Sequence, residues 1–328
     1  MVPIAADGSY SGGPRLMAAA SPILVVGSVA LDSVETPFEK HDDLLGGAAS
    51  HFSIAASVFA PVRLVAVIGE DFPEDMLDVL RRRQGIDLRG LEVVDGPSFR
   101  WHGRYHLDMD HRDTLDLQLG VFADFRPKLP EGWADTPVTF LANIDPDLQL
   151  HVLDQAGGAR LTACDTIEHW IVEKRDRVDQ MLSRVDLVFM NEDEARLYAD
   201  TPNLHRAAAV ILERGCKAAL IKKGENGSLV LRRKPDGSTE TFVCSAYPLE
   251  EVVDPTGAGD AFAGGVMGAL AAGSDFDLEG LRRAVTIGSA MASFAVEGFG
   301  PGGLENITPD ALRARYEMVQ QMVSLPGY

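Results

Sequence analysis

Residues 254–265 read DPTGAGDAFAGG, a glycine-rich turn that leads into a helix. The small residues at 257–259 let backbone N–H groups converge at the start of that helix, where unpaired donors and the helix dipole together favour an anion. Asp260 falls in the first helical turn beside this pocket, where its carboxylate can accept a proton from an attacking hydroxyl group. The segment therefore predicts an anion site, which would suit a phosphoryl group, with a carboxylate beside it.

The same segment has simpler interpretations. Asp is a favoured residue at helix starts, and two glycines can serve only to make a tight turn. A dinucleotide-binding loop would instead follow the first strand of a βαβ unit, with an acidic residue about 20 positions later. Here the glycines lie late in the chain and lead into consecutive helices, so an oxidoreductase is disfavoured. The three helices are predicted over about 258–272, 277–296 and 309–323.

Upstream of this segment, short apolar strands alternate with helices. The predicted strands are rich in β-branched residues and cover 23–26, 63–68, 138–142, 160–164, 187–190 and 218–222. Helices are predicted over 48–59 and around 172–182, and from Glu70, Asp147 and Glu192 onward. This alternation predicts an α/β fold whose mostly parallel sheet is covered by helices on both faces.

Residues 98–122 interrupt that alternation with a polar-apolar pattern that has no helical period. Half-exposed antiparallel strands are expected, and strands that project from a parallel sheet are a candidate lid over an active site. The side chains of this lid that could bind a metal lie on mixed faces and have no recognised ligand spacing, so substrate contact or solvation is favoured. They are His102, His106, Asp108, Asp110 and His111.

Composition limits the function classes. The formal charge of -19 opposes nonspecific binding to nucleic acid or to an anionic membrane. The three cysteines are far apart and lack metal-ligand spacing, which favours the cytoplasm and argues against a disulfide framework. No apolar run is long enough to span a membrane. Residues 1–20 are expected to form a mobile leader without a signal-peptide core, and residues 21–328 to form one domain.

The segment at 254–265 closely resembles the C-terminal signature of the PfkB, or ribokinase-like, family of carbohydrate and nucleoside kinases. The resemblance implies a three-layer ribokinase-like sandwich with a small β lid, formed by about 98–122 and part of 32–45. It also implies that Asp260 is the catalytic base and that ATP and Mg²⁺ are cofactors. The anion hole would be formed by the amides of Gly257, Ala258 and Gly259.

Two further segments resemble motifs of the nucleotide side of this family. Residues 191–194 match an Asn-x-x-Glu motif, which implies that Asn191 and Glu194 organise phosphate and magnesium, with Glu194 acting through water. Without the resemblance, an N-capped helix is the simpler interpretation. Residues 223–227 match a Gly-x-x-Gly turn that borders ATP, although a hairpin turn would look the same. Its candidate residues are Lys223, Gly224 and Gly227.

The substrate side is implied by the N-terminal part of the chain. Asp32, in a loop after the first strand, would hold substrate hydroxyls, and Gly46 and Gly47 would form the substrate loop. His51 stands where many sugar kinases of the family have Asn, which leaves ribose specificity open because imidazole and amide differ in their donors and acceptors. Asn143 follows a predicted strand and is either a pocket residue or part of a turn.

The resemblance implies two further features. Asp254 and Thr256 match a loop near which family members often bind potassium. Exposed lid strands often pair between subunits of the family, so a homodimer through the lid is expected, although charge can also protect such an edge.

The expected function is ATP-dependent phosphorylation of a hydroxyl of a sugar or sugar-like small molecule. A nucleoside kinase is the main alternative, because the apolar lid residues Trp101, Tyr105, Leu107, Leu115 and Phe122 are suited to cover a base. A phosphosugar would require convergent cations, for which the candidates are Arg100, Arg104 and Arg112. A non-catalytic sensor of sugar or nucleotide is the second alternative, and the intact Asp260 argues against it.

Overall fold

The computed structural model describes residues 20–273 and 275–323, so the expected leader over residues 1–20 lies almost wholly outside the described residues. The strands in these ranges are β1 (Ile23–Val26), β2 (Ala30–Glu35), β3 (Lys40–Gly46), β4 (Val62–Gly69), β5 (Ile86–Val94), β6 (Arg100–Tyr105), β7 (Arg112–Gln118), β8 (Val138–Leu141), β9 (Leu161–Asp165), β10 (Leu187–Asn191), β11 (Ala218–Lys222), β12 (Ser228–Arg233) and β13 (Thr239–Cys244). The helices are α1 (Ala48–Ala56), α2 (Glu74–Arg81), α3 (Pro146–Gln155), α4 (Glu168–Glu173), α5 (Arg175–Leu182), α6 (Glu192–Ala199), α7 (Leu204–Leu212), α8 (Ala258–Ala271), α9 (Leu278–Ala295) and α10 (Pro309–Val323).

The larger sheet has the strand order β13-β12-β11-β10-β9-β8-β1-β4-β5 within the described ranges. From β11 to β5 neighbouring strands are parallel, whereas β12 and β13 extend the sheet antiparallel. The carboxyl ends of the parallel strands therefore meet along one edge, where ligands of open α/β sheets bind.

Apolar residues cover both faces of this sheet and make a three-layer sandwich. One core joins alternate strand residues to α1, α8 and α9, and the other joins the remaining strand residues to α3, α5, α6 and α7. Phe140 at the centre stacks on Phe52 with ring centroids 4.1 Å apart and meets Phe189 edge-on at 5.8 Å. This double burial explains why the strands are continuous apolar runs.

The smaller sheet has the order β3-β2-β6-β7. Strands β6 and β7 are antiparallel, as expected for residues 98–122, and β6 pairs in parallel with β2. In this register Asp32 pairs with Trp101, and Tyr105 pairs with Arg112. Because paired residues point to the same face of a sheet, these four side chains lie on one face.

The structure differs from the sequence expectations at several elements. Asp32 lies within strand β2 rather than in a loop. The helix expected around 172–182 is two helices, because Lys174 has a non-helical backbone and its ammonium bonds to Asp145 and Asp147. The helix expected at Glu70 begins only at Glu74, after a turn. Strands β5, β12 and β13 and helix α7 were not expected.

Candidate active site

Three neighbouring strands of the larger sheet end in polar residues at the same edge. Asp165 ends β9, Asn191 ends β10 and Lys222 ends β11. The ammonium of Lys222 lies 2.7 Å from Oδ2 of Asp165, so the ends of two strands are joined across the strand between them. This ion pair forms the floor of the candidate site.

The N-terminus of α8 lies above that floor. Gly257 precedes the helix in a left-handed conformation with φ of 75°, which favours glycine, and no side chain caps the helix. The amides of Gly257 and Gly259 donate no hydrogen bond within the described ranges, and both residues remain partly exposed. Unpaired amides at an accessible helix start make an anion-binding site. A methyl group placed on Gly259 would lie 3.2 Å from Nζ of Lys222, so the ammonium borders this site.

Asp260 is the third residue of α8 and is partly buried. Burial raises the pKa of its carboxyl to about 7, the charge of Asp165 raises the pKa further, and Lys222 opposes the shift. No side chain or amide donates a hydrogen bond to this carboxylate within the described residues. A carboxylate with a pKa near neutrality and unoccupied oxygens is suited to accept a proton from a substrate hydroxyl.

Asn191 and Glu194 form a capping box at the start of α6. The Asn191 side chain accepts from the Glu194 amide at 2.8 Å, and Oε2 of Glu194 accepts from the Asn191 amide at 2.7 Å. Glu194 is buried, and burial raises its pKa to about 7, with Lys222 opposing and Asp165 adding to the shift. The capped helix and the motif thus coincide in one structure.

The donor set fits magnesium that arrives with a nucleotide. In the described part of the chain, no group of three or more His, Cys, Asp or Glu side chains could hold a metal ion. Mg²⁺ commonly keeps several waters and binds through one or two carboxylates together with substrate phosphates. That Glu194 holds Mg²⁺ through water stays a prediction.

Asp32 and the glycine pair form the substrate side. The amide of Gly47 donates to Oδ2 of Asp32 at 3.4 Å, and a side chain on Gly46 would lie 2.0 Å from the same oxygen. Glycine is therefore required at position 46 for the carboxylate to lie against the loop. Burial raises the pKa of Asp32 to about 7, the Gly47 amide opposes the shift, and Asp254 adds to it.

His51 lies in α1 and packs against Gly257, where an added side chain would come within 2.3 Å of the imidazole. Its Nδ1 is 3.2 Å from the Gly47 carbonyl, and burial lowers the pKa of the ring. His51 therefore joins the substrate loop to the anion hole as a neutral side chain. Asn143 accepts a hydrogen bond from the Trp170 indole at 3.2 Å, which fixes its amide beside α4.

The lid touches both halves of the site. The Thr256 hydroxyl donates to the Tyr105 hydroxyl at 3.2 Å, and burial raises the pKa of Tyr105. Asp110, in the turn between β6 and β7, lies 3.3 Å from the position of a methyl group on Gly224. The turn that contains Gly224 and Gly227 has positive φ at both glycines, and the Lys223 amide closes it on the Gly227 carbonyl. The lid tip thus lies beside this turn, although residues 224–226 remain exposed.

The lid histidines are engaged separately. His102 lies 3.0 Å from Glu35, and the other two pair with their own carboxylates near the lid tip. These pairs are His106 with Asp113 and His111 with Asp108. Glu35 also binds Arg104, on the face opposite Asp32, so the outer face of the lid is a network of charges.

Sequence reasoning missed two of the residues that meet here. Lys222 was assigned only to the end of a strand, and Lys223 was preferred beside the glycine turn. Tyr105 was proposed only as a cover for a base, whereas its hydroxyl accepts a hydrogen bond from Thr256, just before α8. The available signal was position: a lysine that ends a buried strand beside Gly224 lies at the edge where ligands bind.

The family of the chain follows from its similarity to known proteins. The model of the pfkB family carbohydrate kinases matches residues 149–307. A cytidine kinase from Thermococcus kodakarensis is 32% identical over 254 residues, which cover 76% of this chain and 89% of that relative. The chain belongs to the PfkB family. As a member, it is an ATP-dependent carbohydrate or nucleoside kinase.

Solved structures confirm the expected fold class. The nucleoside kinase of Methanocaldococcus jannaschii matches with a TM-score of 0.73 and 22% identity, over 91% of this chain and 98% of that one. A putative ribokinase II from E. coli, solved in complex with ATP and Mg²⁺, matches with a TM-score of 0.73 and 20% identity, over 92% and 99%. None of the helices in the described ranges is long and apolar enough to cross a membrane.

Proposed function

We propose that this PfkB-family kinase phosphorylates a ribose hydroxyl of a nucleoside. The observation that carries the proposal is an exposed apolar surface on the inner face of the lid, next to Asp32. Trp101 pairs with Asp32 on one side and with Leu117 on the other, and the Leu117 side chain is 53% exposed. An apolar surface beside a buried carboxylate suits a ligand with a flat ring and hydroxyl groups.

The inner face of the lid is arranged for such a ligand. The Trp101 indole donates to the Thr114 hydroxyl at 3.2 Å and extends over Gly103, where a side chain would lie 2.1 Å from the ring. The ring is therefore held flat against its sheet. A nucleobase would stack on this surface while its ribose hydroxyls bond to Asp32. The cytidine kinase relative supports the same acceptor class.

A phosphosugar acceptor is less well supported, because two of the three candidate arginines are already paired. Arg100 bonds to Asp43 and Asp71, and Arg104 bonds to Glu35 on the outer face of the lid. Arg112 alone lies on the inner face, paired with Tyr105, and its guanidinium carbon is 5.8 Å from the centroid of the Trp101 ring, at the edge of the surface proposed for the base. One inward cation suits the triphosphate of ATP more than a second phosphate on the acceptor.

In the proposed mechanism, Asp260 accepts the proton of the ribose hydroxyl as the oxygen attacks the γ-phosphorus of ATP. The bond from the γ-phosphorus to the β–γ bridging oxygen breaks, and ADP leaves with that oxygen. The unpaired amides of Gly257 and Gly259 stabilise the charge on the transferring group at the accessible start of α8. The Ala258 amide, expected to join them, instead donates to the Pro255 carbonyl at 3.2 Å. Magnesium bound with the nucleotide would neutralise charge on the triphosphate. Asn191 and the turn of Gly224 and Gly227 lie at the same edge and form the nucleotide side.

We assign a potassium ion to the loop of Asp254 and Thr256. Asp254 is fully buried and accepts hydrogen bonds from the amides of Thr256 and Gly300, at 2.9 and 3.1 Å. No basic side chain in the described ranges forms an ion pair with it. A buried carboxylate without a cation is costly, which favours a bound monovalent ion. Turnover in potassium should exceed turnover in a bulky organic cation.

The proposal also includes an oligomeric state and a cellular compartment. Strand β7 is exposed along its whole length at one edge of the smaller sheet, which supports a homodimer through the lid. Sedimentation velocity would measure that association.

We place the reaction in the cytoplasm, because the three cysteines are buried and unpaired and a reducing compartment suits them.

The test is an ADP-release screen of the full chain with nucleosides, free sugars, sugar phosphates and polyols. A nucleoside, cytidine first among them, should give the highest kcat/KM, and magnesium should be required. A sugar phosphate as the best acceptor would overturn the nucleoside assignment. The absence of ATP consumption with every acceptor would favour the sensor alternative.

A further inference from the structure

Lys222 has hydrogen-bonding capacity that the described chain does not use. Its ammonium carries three N–H donors and donates one hydrogen bond, to Oδ2 of Asp165 at 2.7 Å. The side chain is 20% exposed whereas that of Asp165 is 4% exposed, so the lysine is more accessible to a ligand than the carboxylate that it binds. The two unused donors can therefore reach a ligand.

The position of those donors indicates the ligand. Nζ lies 3.2 Å from where a methyl group on Gly259 would stand, beside the unpaired amide of that residue. A fixed cation and a helix N-terminus that face the same space both favour an anion with several oxygens. ATP, the phosphoryl donor of this kinase, supplies such an anion.

The opposite end of the same strand offers a comparison. Lys217, just before β11, also lies 2.7 Å from a carboxylate, that of Asp186. Its side chain is 63% exposed, and within the described residues no hydrogen bond joins it to the start of a helix. The two ion pairs have the same N–O distance but different surroundings. Only the pair at the carboxyl edge of the sheet lies beside a helix N-terminus, where its lysine can also bind an anion.

We propose that Lys222 binds the transferring phosphoryl group of ATP next to the Gly259 amide, and that Asp165 positions its ammonium. The inference rests on the kinase activity and on the anion site at the start of α8, but it does not depend on the nucleoside acceptor. Lys222 is then a phosphate-binding residue that the glycine motif alone does not reveal. The backbone amides neutralise the negative charge of the phosphoryl group only in part, and the ammonium of Lys222 neutralises more of it.

The experiment compares Lys222→Met and Lys222→Gln with Lys217→Met as the matched control. Calorimetry with the magnesium complex of a non-hydrolysable ATP analogue should show affinity reduced about 10- to 100-fold in both Lys222 variants, the effect of losing a charge-assisted hydrogen bond. AMP affinity should change by less than about 2-fold, because AMP lacks the transferring group. Lys217→Met should retain both affinities.

A second pair of variants separates phosphate binding from neutralisation of Asp165. Lys222→Met should lower kcat about 10²- to 10³-fold, as for the loss of one group that stabilises the transition state. Lys222→Met with Asp165→Asn should remain equally slow. Recovery of turnover in the double variant, or equal losses of ATP and AMP affinity, would overturn the inference. Circular dichroism checks folding, and Lys222→Gln, which can still bond to Asp165, answers the question if Lys222→Met unfolds.

The outcome is distinct from that of the acceptor screen. If no nucleoside is phosphorylated but the ATP analogue still binds, the two affinity comparisons test Lys222 without any acceptor. If nucleosides are phosphorylated and the Lys222 variants keep normal ATP affinity, the proposed function stands and the role of Lys222 is wrong.

Discussion

Two sheets meet at the site, and they are built in opposite ways. Every residue of β1 in the larger sheet is buried, whereas every residue of β7 in the smaller sheet is exposed. The larger sheet is covered on both faces and carries Lys222, Asp165 and Asn191 at one edge. The smaller sheet leaves an inner face open to ligand. In the proposed function, the groups that carry out the reaction therefore lie on a packed core, whereas the acceptor binds to an open surface.

This contrast predicts that substitutions at the start of α8 affect turnover while substitutions on the lid affect acceptor binding. The largest effect is expected for Asp260→Asn, which keeps the size of the side chain and removes the base. Turnover should fall roughly 10²- to 10⁴-fold, with thermal unfolding little changed. Steady-state ADP release measures the loss.

The matched control is Glu279→Gln, an exposed acid in the first turn of the next helix, α9. It should leave turnover unchanged. Normal turnover in Asp260→Asn would show that Asp260 is not the base. It would also contradict the proposal that the reaction depends on the larger sheet and acceptor binding on the lid.

On the lid, Trp101→Ala should raise KM for the nucleoside about 5- to 150-fold, because stacking on an aromatic ring contributes about 1–3 kcal/mol per base. The kcat at saturation should change much less. Phe38→Ala is the control, since this aromatic residue of the same sheet is 73% exposed near the β2–β3 turn. An unchanged KM, or a loss confined to kcat, would contradict the placement of the base on the lid.

A pH profile tests the electrostatics of the packed side. Burial raises the pKa of Asp260 to about 7, so the carboxyl becomes protonated and unable to accept a proton as pH falls below that value. We therefore expect kcat/KM to decrease about tenfold per pH unit below pH 7 and to level off above it. A profile that stays flat down to pH 5 would show that no group with this pKa limits the reaction.

The smallest effect is expected where the two sheets touch. Tyr105→Phe removes the hydrogen bond that Thr256 donates to the Tyr105 hydroxyl, typically about 0.5–1.5 kcal/mol. KM for the acceptor should rise about 2- to 10-fold if this bond holds the lid closed. Tyr198→Phe is the control, because it also loses a buried hydroxyl, one bonded to Asp179 in another part of the fold. It should reduce thermal stability without changing KM.

The sequence predicted those parts of the site that lie close together along the chain. The anion hole and Asp260 follow from one glycine-rich turn, and Asn191 and Glu194 from one helix start. The fold class followed from the alternation of buried strands and helices, because that pattern has few topological solutions.

Other features required the tertiary structure. Lys222 and Asp165 are 57 positions apart, and only the strand order brings them together. Polar-apolar alternation predicted the lid strands, but the inward face is fixed by pairing between β2 and β6, which places Trp101 beside Asp32. The helix expected around 172–182 is interrupted at Lys174, whose ammonium binds Asp145 and Asp147 at the start of α3, a contact that no local propensity predicts.

The residue at position 103 controls where the Trp101 indole lies on the lid. A side chain at this position would lie 2.1 Å from the Trp101 ring, so any larger residue must move the indole. Gly103 is buried against the Trp101 ring, so a substitution there would change the shape of the surface on which the acceptor is proposed to stack. A new substrate range could thus arise by one codon change behind the binding surface, with the machinery for phosphoryl transfer left intact.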